Sequence, residues 1–107
     1  MRYCFDIDGT ICHTPNNDKG KPDYINAKPF SFMVQQINRL YDEGNSIIYW
    51  TARGTTTGID WEKTTLGQLS EWGAKYHQLK MNKPHYDLFI CDKAINTELF
   101  FKDKKWI

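Results

Sequence analysis

Residues 46–50, Ser-Ile-Ile-Tyr-Trp, form a short run of β-branched and aromatic side chains that does not alternate in polarity. A strand with one wet face alternates, whereas one covered on both faces does not, so this run is expected inside a parallel sheet with helices over it. The neighbouring sequence carries such helices. Upstream, Pro29 suits a first helical turn, and Met33, Ile37, Leu40 and Tyr41 recur at spacings of three and four. With Gly44 as a C-terminal cap, this predicts a helix over about 29–43. Downstream, Asp60 suits the N-cap of a second helix carrying Trp61, Thr65, Leu69 and Trp72, which Gly73 ends.

Further strands are expected at Arg2–Ile7, which breaks into Gly9-Thr10, more weakly at Tyr76–Leu79, and at Tyr86-Asp-Leu-Phe-Ile-Cys91, which runs into Asp92. The tail from Ala94 to Ile107 reads as a short helix with a mobile or docking end. This order predicts an α/β fold, a Rossmann-like parallel sheet flanked by helices with right-handed crossovers. The 107 residues suffice for one domain, 1–107, and 40% hydrophobic and 15% aromatic residues can fill its core. From Cys12 to Lys28 the chain turns polar and is punctuated by Pro15, Gly20 and Pro22. That is too long for a routine connection and reads as a functional flap.

A formal charge of +1 provides no global field for nucleic acid or anionic membranes. The single basic-aromatic cluster, Lys102, Lys104, Lys105 and Trp106, reads as a solvated tail. No apolar run approaches the roughly 20 residues of a membrane span, and the opening MRYCFDID has acids where a signal peptide is apolar. These features predict a cytoplasmic protein with no membrane partner. Cys4, Cys12 and Cys91 form no Cys-x-x-Cys pair, so free thiols are expected and a zinc site is not.

In a parallel α/β sheet, ligands gather at the carboxyl ends of the strands. Three expected strand ends carry reactive polar residues: Asp6 and Asp8, Thr51 and Arg53, and Asp92. Asp6 and Asp8 alternate, so in extended chain both carboxylates point to one side, and so close a pair calls for a proton or a cation. Gly9 permits a sharp turn near a ligand, and Thr10 offers a hydroxyl and an amide to an anion. A calcium loop is excluded because Asn17 stands at its twelfth position, where the loop needs a Glu.

Phe5-Asp-Ile-Asp-Gly-Thr-Ile11 resembles the first motif of the haloacid dehalogenase superfamily of phosphotransferases. Ile48-Tyr-Trp-Thr-Ala-Arg-Gly54, Lys83-Pro84 and Cys91-Asp92 are similar to its later motifs, in order. More narrowly, the Thr-Ala-Arg-Gly, Lys-Pro-x-Tyr-Asp and Asp-Lys-Ala segments resemble short members associated with capsule and surface-polysaccharide biosynthesis. The resemblance implies a minimal core without a cap domain and a Mg²⁺-dependent phosphomonoester hydrolase. In that reading Asp6 is the nucleophile and Asp8 the general acid and base, while Thr51 and Lys83 contact the phosphoryl oxygens. Mg²⁺ would sit on the Asp6 carboxylate, the Asp8 carbonyl and Asp92, and Gly9, Thr10 and Arg53 would contact substrate. Cys91 stands where many relatives have an acid, and reads as a small buried hydrophobe. The implied substrate is a small-molecule phosphate ester, with sugar phosphates among the candidates. The alternatives are a nucleic-acid end phosphatase, which the near-neutral charge disfavours, and a non-catalytic module binding phosphate or a protein partner, which Cys91 keeps open.

Overall fold

A computed structural model describes residues 1–102 of the chain. Strand β1 (Arg2–Phe5), strand β4 (Ser46–Trp50) and strand β5 (Gln78–Lys80) form a parallel sheet in the order β1-β4-β5. Tyr3 lies opposite Ile47, and Ile48 opposite Gln78. Helix α1 (Ser31–Asp42) links β1 to β4 and helix α2 (Glu62–Glu71) links β4 to β5, giving the expected Rossmann-like α/β arrangement. A final helix, α3 (Thr97–Lys102), follows β5 after a long irregular stretch. Residues 103–107, including Lys104, Lys105 and Trp106 of the expected basic-aromatic tail, lie outside the described residues.

The core is built on β4. Ile47 and Tyr49 are fully buried and point one way, while Ile48 and Trp50 are half-buried on the other face. That second face is covered only in part, so the burial expected on both faces is realised on one. Val34, Ile37 and Leu40 of α1 join Phe5, Ile7, Ile11 and Leu69 in one apolar cluster. Phe101 closes it from α3, where Phe100 meets Tyr3 and Phe5 edge-on at ring separations of 6.0 and 5.8 Å. Trp61 rather than the expected Asp60 is the N-cap of α2; Asp60 stands one residue earlier, its Oδ1 accepting the Glu62 amide at 2.9 Å. No helix among the described residues is long and apolar enough to cross a membrane.

The 12–28 flap is more ordered than its composition suggests. Strands β2 (Cys12–His13) and β3 (Lys28–Pro29) pair antiparallel and close its base, which places Pro29 in a strand and starts α1 two residues later than expected. Within it, Asn17 Oδ1 accepts the amides of Lys19 and Lys21, and Asp23 caps a 3₁₀ turn over Tyr24–Asn26. Side-chain oxygens here replace the ladder that a strand or helix would supply.

The strand expected at 86–91 does not form: the residues after β5 are irregular and largely exposed as far as α3, including Leu88 and Ile90. Cys91 is exposed rather than a buried hydrophobe. What the segment makes instead is a set of contacts at Lys83. Its amide donates to the Thr51 carbonyl at 3.0 Å, and the rings of Tyr86 and Phe89 gather around its ammonium at 5.3 and 5.9 Å. These cation–π contacts hold the segment by its side chains at the strand ends.

Tyr49 Oη is buried and meets no hydrogen-bond partner among the described residues. A buried hydroxyl without a partner costs its desolvation. Tyr49→Phe is therefore expected to raise the unfolding free energy by about 1 kcal/mol in denaturant titrations; a loss of stability would show that the hydroxyl is satisfied in solution.

Candidate active site

The strand ends bring four of the expected residues into one cluster. Asp6 follows β1 directly, and its Oδ1 accepts the Ile7 amide at 2.8 Å, which fixes the carboxylate's direction. Its Oδ2 faces Lys83 Nζ at 3.7 Å, and the side chain keeps 40% of its exposure. Lys83 is aimed by Asn82, which takes a positive φ of 64° that asparagine tolerates better than most residues. Its ammonium also lies 5.9 Å from the Trp50 ring. A reachable carboxylate oxygen therefore sits beside a cation largely shielded from water.

Asp8 is held differently. Arg53 Nε donates to Asp8 Oδ2 at 3.0 Å and Arg53 Nη2 to Oδ1 at 2.9 Å, a bidentate fork, and the Thr14 hydroxyl also donates to Oδ1. Arg53 is only 2% exposed, so its charge needs partners within the protein rather than the substrate contact expected of it. Arg53 instead faces inward, onto Thr65 and Gln68 of α2 at 3.2 and 2.6 Å and over the Tyr24 ring at 4.9 Å. Gly54 makes this turn possible: it has φ +81°, and a Cβ there would lie 2.0 Å from the Ile59 carbonyl oxygen.

Other expected contacts are redirected in the same way. Thr51 is fully buried, and its hydroxyl accepts the Arg53 amide at 3.1 Å, so it shapes the turn rather than reaching the cavity. The amides of Gly9 and Thr10 close the turn onto the carbonyls of Cys12 and Ile7, and the Thr10 hydroxyl meets that of Thr97 at 3.1 Å. Those donors serve the loop and α3 instead of an anion.

Asp92, the third expected metal ligand, is not brought to Asp6 and Asp8. It is exposed, with Oδ1 3.8 Å from Cys91 Sγ. Among the described residues, no three His, Cys, Asp or Glu side chains are grouped to hold a metal ion. As arranged, the implied magnesium set is incomplete: Asp6 offers a carboxylate oxygen beside Lys83, but Asp92 is not grouped with it. The displacement of Asp92 follows from the missing 86–91 strand, whose end would have carried it.

A cavity of about 360 Å³ opens in front of this cluster, with Asp6, Asp8 and Arg53 on one wall and the flap residues His13, Asn16, Pro22 and Tyr24 on the other. Burial and the nearby Asp8 carboxylate push the Tyr24 phenol upward, so it remains a neutral hydroxyl. Tyr24 also meets Trp61 edge-on at 5.1 Å, which fastens the flap to the start of α2. Sequence reasoning missed Thr14, Tyr24 and Gln68. A signal existed for Gln68, since it stands beside Leu69 and three residues after Thr65 on the buried stripe of α2, where a polar side chain must find a partner.

Burial raises the Asp6 carboxyl above its ordinary value of 3.8, an effect that Lys83 only partly offsets. The folded protein thus holds this proton more tightly than the unfolded chain. Stability is lost as pH rises from 3.8 through the higher folded value, and the cost is fully present at neutral pH. Asp6→Asn is expected to raise the melting temperature at pH 7 by an amount that shrinks as the pH falls toward 3.8; a pH-independent shift would remove Asp6 ionisation as its cause. Burial pushes the Cys12 thiol up to about 11, while Cys4 and Cys91 are exposed. Alkylation at pH 8 followed by peptide mass spectrometry should modify Cys4 and Cys91 and spare Cys12 until the protein unfolds.

Among solved structures, the fold is similar to that of a crystal structure from Vibrio cholerae described only as a structural-genomics target. The two chains are 23% identical with a TM-score of 0.79, covering 92% of this chain and 85% of that one. At that identity the likeness bears on fold alone. No family model and no curated protein matches the chain.

Proposed function

We propose that the protein is a phosphomonoester hydrolase of the haloacid dehalogenase type, acting through an aspartyl-phosphate. The observation that carries this reading is Asp6: an accessible carboxylate oxygen at the end of β1, oriented by the Ile7 amide and 3.7 Å from the Lys83 ammonium. An Asp6 oxygen attacks phosphorus, the bond from phosphorus to the ester oxygen breaks, and the departing alcohol takes a proton. Water then attacks the aspartyl-phosphate, gives up a proton, and leaves inorganic phosphate and the regenerated carboxylate. Lys83 offsets the negative charge that builds on the phosphoryl oxygens.

Asp8 is the proton carrier in this reading. Held by Arg53 and Thr14 it is an acceptor, which suits the base half of the cycle, where a proton leaves the attacking water. The acid half requires it to take up a proton and release one Arg53 contact. Mg²⁺ belongs to the reading through the resemblance alone. Asp92 would have to approach Asp6 to complete that set, and none of these steps depends on it.

A sugar phosphate suits the cavity as substrate. Tyr24 and Pro22 offer apolar surface to a ring face, and His13 and Asn16 stand ready for hydroxyl groups. The displaced Asp92 favours a second reading, a phosphate-binding module that does not turn over. Phosphate release from a panel of sugar phosphates and an aryl phosphate separates the two. Turnover is expected, with Asp6→Asn lowering it about a thousandfold or more. Running the panel with Mg²⁺ and with EDTA tests the metal. Binding of phosphate esters without turnover would establish the module instead.

A further inference from the structure

We infer that Gln68 and Arg53 form a latch that couples the seating of the 12–28 flap to the orientation of Asp8, with Arg53 acting as a positioning residue rather than a substrate clamp. A guanidinium has five N–H donors. Here Nε and one Nη2 donor take Asp8, the two Nη1 donors take Thr65 and Gln68, and the remaining Nη2 direction meets Cys12 Sγ at 4.0 Å. At 2% exposure Arg53 has no donor to spare for a phosphate in the cavity. What it does have is a grip on both oxygens of Asp8.

Gln68 extends that grip to the flap. Its Oε1 accepts from Arg53 at 2.6 Å and its Nε2 donates to the Tyr24 carbonyl at 2.6 Å, so one buried amide joins the flap backbone to the hub that holds Asp8. The Tyr24 ring, 4.9 Å from the Arg53 guanidinium carbon, adds a second link. Thus a flap lifted from α2 removes two contacts from Arg53 and Gln68 at once, and Arg53 loses the support that aims it at Asp8. The cavity wall and the proton carrier are assembled together.

The kinetic part of this inference rests on the hydrolase reading, while the coupling itself does not. The test compares Gln68→Glu, which keeps an acceptor for Arg53 but replaces the donor to Tyr24, with Gln68→Met and Arg53→Met, which abolish the Arg53 contact. Hydrogen exchange followed by mass spectrometry needs no substrate. Amides of residues 14–26 should exchange about tenfold faster in Gln68→Glu, as for one lost buried hydrogen bond, while β4 stays protected. On a substrate that wild type hydrolyses, Gln68→Glu should raise KM more than it lowers kcat, because the flap walls the cavity. Gln68→Met and Arg53→Met should lower kcat, with Arg53→Lys recovering part of it. Unchanged flap exchange in Gln68→Glu would overturn the latch, whether or not the protein hydrolyses phosphate esters. Wild-type kcat in a folded Arg53→Met would overturn the positioning role, and if Arg53→Met fails to fold, Gln68→Met decides the same point.

Discussion

The ion pair between Arg53 and Asp8 is the interaction on which the rest of the site depends. A guanidinium this deeply buried is tolerable only if nearly all of its donors find acceptors, because stripping its water costs several kcal/mol that charge pairing must offset. The requirement spreads outward through the fold. Asp8 has to follow β1, Thr51 and Gly54 have to turn the chain sharply after β4, and α2 has to present Thr65 and Gln68 on its inner face. Three separate stretches of chain are thereby fixed around one planar group.

This arrangement separates two acids that lie two residues apart. Asp6 keeps an open oxygen and a single cation at 3.7 Å, and burial makes its charge costly. Asp8 has both oxygens occupied by Arg53, with Thr14 added to one. The first environment suits an accessible nucleophile and the second a held proton acceptor, so the difference in role arises from neighbours rather than from residue type. The flap, tied to the same hub through Gln68 and Tyr24, makes the cavity wall part of the arrangement.

The segment after Lys83 shows how local pattern and tertiary context diverge. Tyr86-Asp-Leu-Phe-Ile-Cys91 has the composition of a buried strand, and in isolation nothing in it argues otherwise. Yet Lys83 pairs with Asp6, the rings of Tyr86 and Phe89 turn to that ammonium, and the chain adds no strand to the sheet. Asp92 is carried away from the acids with it. A run of apolar residues states a preference for burial, whereas Tyr86, Leu88, Phe89 and Ile90 stay exposed because the rest of the chain supplies no strand to pair with them.

The sequence by itself determined the order of β1, α1, β4, α2 and β5, their α/β character and the polar residues that follow β1 and β4, because apolar period and turn residues act over a few neighbouring positions. It also determined that Asp6 and Asp8 share one end of β1, since alternation along a strand is a local rule. Only the tertiary structure decided that Arg53 turns inward to Asp8 and α2, that Gln68 ties Tyr24 to that hub, and that Asp92 lies elsewhere. Those outcomes join residues as far apart as Asp8 and Arg53, or Tyr24 and Gln68. The deciding quantity is whether a buried charge or amide finds its partners, which depends on the packing of the whole chain.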